Sequence, residues 1–267
     1  MVPFLFFYIF ISNKSKVIKM SDEKKFKFPT EMIDLPSKGL VYPPDNPLSK
    51  GKVEMKYMTA KEEDILTNQS YIKNGTVIDE LLKTLIVSKI NYNDLIIGDK
   101  NAIMVAARVL GYGKNYTFTY SGEEHTVDLS SVDPKPLDES AITKGKNEFT
   151  FTLPNSGTEL SYRILTHGDD SKINAEIRGI KKLNKNASPD VSTRLKHMIT
   201  AVDGDVSSKT IREFVDTYML AMDARAFREH VKNTQPDVDL TFEVEGPDGD
   251  VKDIDIPITL NFFWPDA

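Results

Sequence analysis

Alternation of apolar and polar positions picks out the strands. Over Lys52–Met58, residues Val53, Met55 and Tyr57 share one face, as in a half-buried strand. Tyr116–Tyr120 and Glu124–Leu129 alternate likewise around Ser121-Gly122, which predicts a hairpin. A second hairpin is expected from Glu148–Leu153 and Thr158–Leu165 around Pro154–Gly157. A third is expected from Leu240–Glu245 and Val251–Leu260 around Gly246-Pro-Asp-Gly249.

Helical spacing marks the rest. Thr59-x-x-Glu62 is a capping-box pattern opening a helix over 60–67. Thr76-x-x-Asp79 repeats it before the stripe Ile78, Leu81, Leu82, Leu85 and Ile86. Asp99 is placed to cap a helix over 100–110 that stops at Gly111. That segment is apolar nearly all round, so it should be central and buried. Asp170 or Ser171 precedes Ile173, Ile177 and Ile180. Ser192 precedes Leu195, Met198, Ile199 and Val202, with Gly204 just beyond. The clearest stripe is Ile211, Phe214, Val215, Tyr218, Met219 and Met222. Phe227 and Val231 then fall out of phase. Either the helix breaks near Asp223, an available N-cap, or it carries a second apolar face.

Residues 20–50 are charged and then rich in turn formers. Pro36, Pro43, Pro44 and Pro47 exclude a helix or central strand there. Their apolar neighbours predict an extended arm lying along a surface, its own or a partner's. Residues 133–146 read as a linker. The expected fold is α+β, with an N-terminal lobe over 51–132 and a C-terminal lobe over 147–267. Helix followed by hairpin occurs in both halves, a weak internal symmetry for which chance recurrence is the alternative.

Val2–Ile11 is a run of ten non-polar residues, too short for a membrane span of about twenty. Its positive charges follow it, unlike those of a signal peptide. Met20 reads as an ordinary start, with 1–19 as upstream translation. A membrane anchor or an export signal is the alternative. Composition sharpens the picture only by exclusion. The 267 residues carry a net charge of −6 and no Cys. Disulfide scaffolds, Cys-ligated metals and Cys nucleophiles are excluded. The acidity argues against nucleic-acid binding. Without 1–19, which hold three Lys and no acid, the charge is −9.

No chemistry-bearing motif assembles. There is no G-x-S-x-G elbow, no paired-His metal motif and no P-loop. The pairs Asp169-Asp170, Asp203/Asp205 and Asp248/Asp250 read as caps and turns. No cofactor or metal is expected. The enzyme alternative would need a pocket between the lobes, for example with His167 beside Asp169 and Asp170. Lys172, Arg178, Lys181, Lys182 and Lys185 line one helix, and Arg225, Arg228 and Lys232 share a face of another. Each is a solvated face or a surface for an acidic partner. Phe262-Phe263-Trp264-Pro265 either closes the core or anchors a partner subunit.

Several stretches together resemble one phage family. They are Leu35-Pro-Ser-Lys-Gly-Leu-Val-Tyr42, Val53–Leu66, Gly75–Leu82, Gly98–Ile103 with Arg108–Tyr112, Asp223-Ala-Arg225 and Phe262–Pro265. This ordered set is similar to the T4-type base plate protein family, the hub assembly proteins of contractile-tailed phages. The resemblance implies a non-enzymatic hub component or hub assembly factor. It would act in the host cytoplasm during assembly and then either stay in the virion's tail baseplate or leave as a transient chaperone. Its partners would be baseplate hub or tail proteins, with no nucleic acid and no membrane. In many members of that family two hairpin turns look like C-x-x-C zinc knuckles. Here Tyr120–Glu124 and Glu245–Asp250 stand in their place without Cys, so packing alone would hold the hairpins. The residues expected to touch partners are Leu40 and Tyr42 in the arm, Lys172, Arg178, Lys181 and Lys182 on the basic helix, and Phe262, Phe263 and Trp264 at the tail.

Overall fold

In the computed structural model, which describes residues 29–245 and 250–264, the first elements form where pattern and capping agree. Strands β1 (Thr30–Asp34) and β2 (Lys52–Lys56) pair antiparallel, with Ile33 opposite Val53. Helix α1 (Ala60–Leu66) begins at Thr59, whose backbone N–H and hydroxyl donate to the Glu62 carboxylate at 3.0 and 2.6 Å. A short helix the pattern did not reveal, α2 (Gln69–Asn74), follows under an Asn68 cap. Then come α3 (Val77–Leu85) and the long α4 (Ile97–Tyr112). Strands β3 (Asn115–Tyr120) and β4 (Glu123–Asp128) close the predicted hairpin. Its turn residues Ser121 and Gly122 sit at φ 52° and 88°, the geometry a two-residue hairpin turn of this hand requires.

The second half forms β5 (Phe149–Thr152), β6 (Glu159–Tyr162), α5 (His167–Leu183), α6 (Asp190–Met198) and β7 (Ile199–Val202). It continues through α7 (Ser208–Glu213), a π turn over Phe214–Tyr218, and α8 (Ala221–Thr234). Strands β8 (Thr241–Glu245) and β9 (Val251–Asp255) and the turn of helix α9 (Leu260–Phe263) end the described chain. The turn at 246–249 and Pro265 lie outside the described residues, as do 1–28. The architecture is α+β, with small antiparallel sheets and no barrel.

Two larger apolar clusters organise these elements, and a small third one joins Leu165 to Ile173 and Ile177 of α5. The larger gathers Ile33, Leu48, Met55, Leu81, Leu95, Ile103, Tyr116 and Leu129. The other gathers Leu153, Leu160, Tyr162, Leu195, Ile199, Phe227 and Val231. The larger also takes Val238, Ile256, Phe262 and Phe263, so the chain returns to its first half after α8. The expected lobe 147–267 therefore does not pack as one body. A free hairpin is marginal alone, and β8–β9 finds apolar cover on β3–β4: Phe242 packs against Phe118 and His125. The arm also belongs to this cluster. Ile33, Leu35, Val41, Tyr42 and Leu48 are all buried.

Five helix boundaries differ from expectation. Ile199–Val202 is not the tail of a helix from Ser192 but β7, paired with β6. Ile199 and Val202 fit a helical interval, yet the edge of β6 offers ladder bonds that only a strand can satisfy. The stripe from Ile211 does not reach Met222 as one helix. The π turn adds a residue per turn, and the chain reopens at Met219 and Leu220, three residues before Asp223. Neither Asp99, Asp170 nor Asp223 is an N-cap. Their helices start at Ile97, His167 and Ala221, one turn earlier than the acids suggest.

Candidate functional site

Four helices, α3, α4, α5 and α8, place an aspartate at the third position of their first turn; Asp99, Asp169 and Asp223 are the buried ones, and each is turned to a different task. Near a helix N-terminus the unpaired N–H groups favour a carboxylate. Asp99 in α4 is fully buried. It accepts from the Ser37 N–H at 3.0 Å, the Ser37 hydroxyl at 2.7 Å and the Tyr42 hydroxyl at 2.6 Å. Tyr42 in turn accepts the Ile96 N–H at 3.0 Å, so the arm supplies the cap that α4 lacks. This is why the helix starts two residues before Asp99. Burial pushes Asp99 up to about 6; Tyr42 and Ser37 oppose the rise, and nearby Asp237 adds to it. Burial and the Asp99 charge raise Tyr42 well above a free phenol.

Asp169 in α5 lies within a capping box with Thr166 and pairs with Arg163 through two guanidinium bonds. Desolvation opposes its ionisation, but Arg163 and Thr166 win and hold it low. Asp223 in α8 accepts from the Asn155 N–H at 2.9 Å, the Asn155 amide at 2.8 Å and the Ser156 N–H at 3.1 Å. Desolvation opposes it too, and the Asn155 and Ser156 bonds hold it below the ordinary range.

The second position of these turns is equally telling. A Cβ on Gly98 would stand 1.9 Å from the Pro236 carbonyl oxygen. The returning chain thus crosses directly over α4, and Asn101 donates to Asp237 at 3.0 Å. Arg108 closes the other end of α4. Its guanidinium donates to the carbonyls of Gly113 and Asn115.

The His167 neighbourhood does not form the pocket considered for an enzyme. Its Nδ1 lies 3.3 Å from the Lys100 ammonium, which pairs with Asp79 at 2.6 Å. Tyr92 donates to the same Asp79 oxygen and packs edge-on against the His167 ring. Burial and Lys100 hold His167 below a free imidazole. Asp169 faces Arg163 instead, and Asp170 faces Arg194 and Asn174. The three residues diverge, and their partners join α3, α4 and α5.

The expected partner contacts also separate. Phe262 and Phe263 are completely buried and Tyr42 nearly so. They cannot present a surface: Phe262 packs edge-on against Tyr116, and Tyr42 is held by Asp99. The reading of the tail as core closure is the one the burial supports. Leu40 and Trp264 are half-buried. Lys172, Arg178, Lys181 and Lys182 are exposed on α5, beside Leu183 at 92% exposure. Lys181 pairs with Asp190 at 3.4 Å, while Lys172, Arg178 and Lys182 have no ion-pair partner among the described residues. The pattern did not anticipate a second exposed patch at the π-turn junction, formed by Tyr218, Leu220 and Met222. The helical spacing puts Tyr218 and Met222 on the stripe from Ile211, whereas Leu220 lies outside it.

Stretches on the arm, around Asp99 and Arg108, and at Asp223 and the tail were those that carried the family resemblance. The family described as T4 bacteriophage base plate protein matches residues 30–264. The chain belongs to that family. No curated protein and no solved structure matches it. The family match takes in the apolar clusters and the N-terminal aspartates. It also covers both Cys-free hairpins that the resemblance sets beside knuckle-like turns. Those hairpins meet through Phe118, His125 and Phe242. No helix among the described residues is long and apolar enough to cross a membrane.

Proposed function

We propose that this base plate family protein is a non-enzymatic part of the baseplate hub, entering it or assisting its assembly through protein contacts. The carrying observation is the family match over 30–264. The polar clusters support the same reading. Asp99, Asp169, Asp223 and the Lys100–Asp79–His167 group are each engaged in fastening one element to another. The exposed cations Lys172, Arg178 and Lys182 and the apolar patch at Tyr218, Leu220 and Met222 are the surfaces offered to partners. Assembly takes place in the host cytoplasm.

Mass spectrometry of purified virions tests this reading. Presence at stoichiometric level identifies a hub component, and absence identifies an assembly factor that leaves. Pull-down from infected cells should recover hub or tail proteins in either case. Recovery of host enzymes alone overturns the proposal.

A further inference from the structure

The arm and the former linker enclose a groove that none of the expected contacts uses. It has a volume of about 520 Å³ and lies between Asp34–Pro36 with Lys50–Lys52 on one side and Pro134–Leu137 on the other. Its floor is apolar, from Leu35, Pro36, Pro134 and Leu137. Its rim carries four lysines, Lys38, Lys50, Lys52 and Lys135, on a chain whose net charge is −6. Glu139 and Asp34 neutralise Lys38 and Lys52. Lys50 and Lys135 have no acidic partner among the described residues.

The groove runs into an open sheet edge. Among the described residues β1 pairs only with β2. Bonds from the Leu35 N–H to the Gly51 carbonyl and from the Tyr57 N–H to the Pro29 carbonyl fix the phase of the ladder. In that phase Ile33 and Glu31 bond to β2, and the backbones of Thr30, Met32 and Asp34 face away from it. Among the described residues nothing pairs with them. Met32 is also 43% exposed on this edge.

We infer that this edge and groove receive an extended, acidic segment of a partner protein, with apolar residues at alternate positions. An added strand would take its main-chain bonds from Met32 and Asp34. Its alternate side chains would meet the proline-lined floor, and its carboxylates would meet Lys50 and Lys135. The acidic choice follows from the rim: a neutral strand would leave two cations uncompensated, and a basic one would be repelled. The inference rests on the reading that this protein works by docking to others.

The probe is a fluorescein-labelled eight-residue peptide alternating Glu with Val, with one alternating Lys with Val as control. Fluorescence anisotropy at low salt on the full chain should show saturable binding of the first and none of the second. Lys50→Glu with Lys135→Glu should weaken binding at least about tenfold while leaving the thermal midpoint unchanged. Should that pair disturb folding, Lys50→Gln serves in its place with a smaller loss. Amide exchange should slow at Met32 and Asp34 on peptide addition and stay constant at Ile33. Absence of binding, equal binding of both peptides, or protection elsewhere overturns the inference. None of these results bears on virion content, so the docking site can fail while the base plate reading stands.

Discussion

Asp99 and Asp223 occupy the same position in two helices and hold down two turns by the same number of hydrogen bonds, yet their acidities move in opposite directions. The difference lies in the roof. Over Asp99 the donors are Ser37 and Tyr42, themselves buried and covered by the arm. Over Asp223 they are Asn155 and Ser156, both exposed on a hairpin turn. Neither carboxylate touches solvent, but over Asp223 only one exposed turn separates it from the surface, so its charge is less desolvated than that of Asp99 beneath the buried arm. The capping position by itself therefore does not decide whether a carboxylate is ionised; the thickness of protein above it does. Asp99 is a joint between distant parts of the chain, and Asp223 a clasp on one turn.

The comparison is broken most directly at Asp99. Asp99→Ala would orphan three buried donors and should lower stability at pH 5 by roughly 4 kcal/mol in urea unfolding. The Gly39 and Tyr42 amides should lose exchange protection first, since their turns would be released. A loss confined to α4 would mean that the arm is held by its apolar residues instead.

The pH dependence sharpens the contrast. Asp99 has a folded value near 6, above the unfolded value of about 4. Its stabilising contribution is complete below about pH 4 and is lost as the pH rises through about 6. Asp99→Asn removes this slope. Between pH 4 and pH 7 the parent protein should lose on the order of 3 kcal/mol relative to the variant. Asp223 carries the reverse sign: its contribution is present above about pH 4 and is lost as the pH falls. Equal slopes for Asp99→Asn and Asp223→Asn would remove the distinction between the two roofs.

The second helix positions give the next step. Gly98→Ala drives a methyl against the Pro236 carbonyl and should cost roughly 2 kcal/mol. At the equivalent place in α8, Met222 is 69% exposed, and Met222→Ala should change stability by less than about 0.5 kcal/mol. Matched thermal scans of the two variants decide the point. Asp223→Ala should fall between them. It should loosen the 154–157 turn, read as faster exchange at Ser156, with the protection of α4 unchanged.

Much of this fold was legible locally. The Thr59–Glu62 box, the Ser121-Gly122 turn and the alternation around Val53 act within a few residues, and each appears where the pattern placed it. The phase slip after Met222 was visible, but its cause was not. A π turn changes the residue count per turn without a marker in composition, so the break was expected at Asp223. β7 was hidden because Ile199 and Val202 suit either a helical or an extended interval. The resemblance pointed to the right family, but aromatic content misled about surface. Phe262 and Phe263 look like an anchor until Tyr116 and the long α4 are seen to cover them.

The sequence by itself determined most element types, the N-caps Thr59 and Thr76, the Ser121-Gly122 turn, the α+β class and the base plate family, because these rest on neighbours along the chain. Only the tertiary structure decided which of the buried aspartates lies under the arm, that the arm caps α4, that the last hairpin returns to the first cluster, and which lysines line a groove. Each of those depends on residues separated by tens of positions, such as Ser37 and Asp99 or Gly98 and Pro236. Packing brings them together, and no local propensity encodes their meeting.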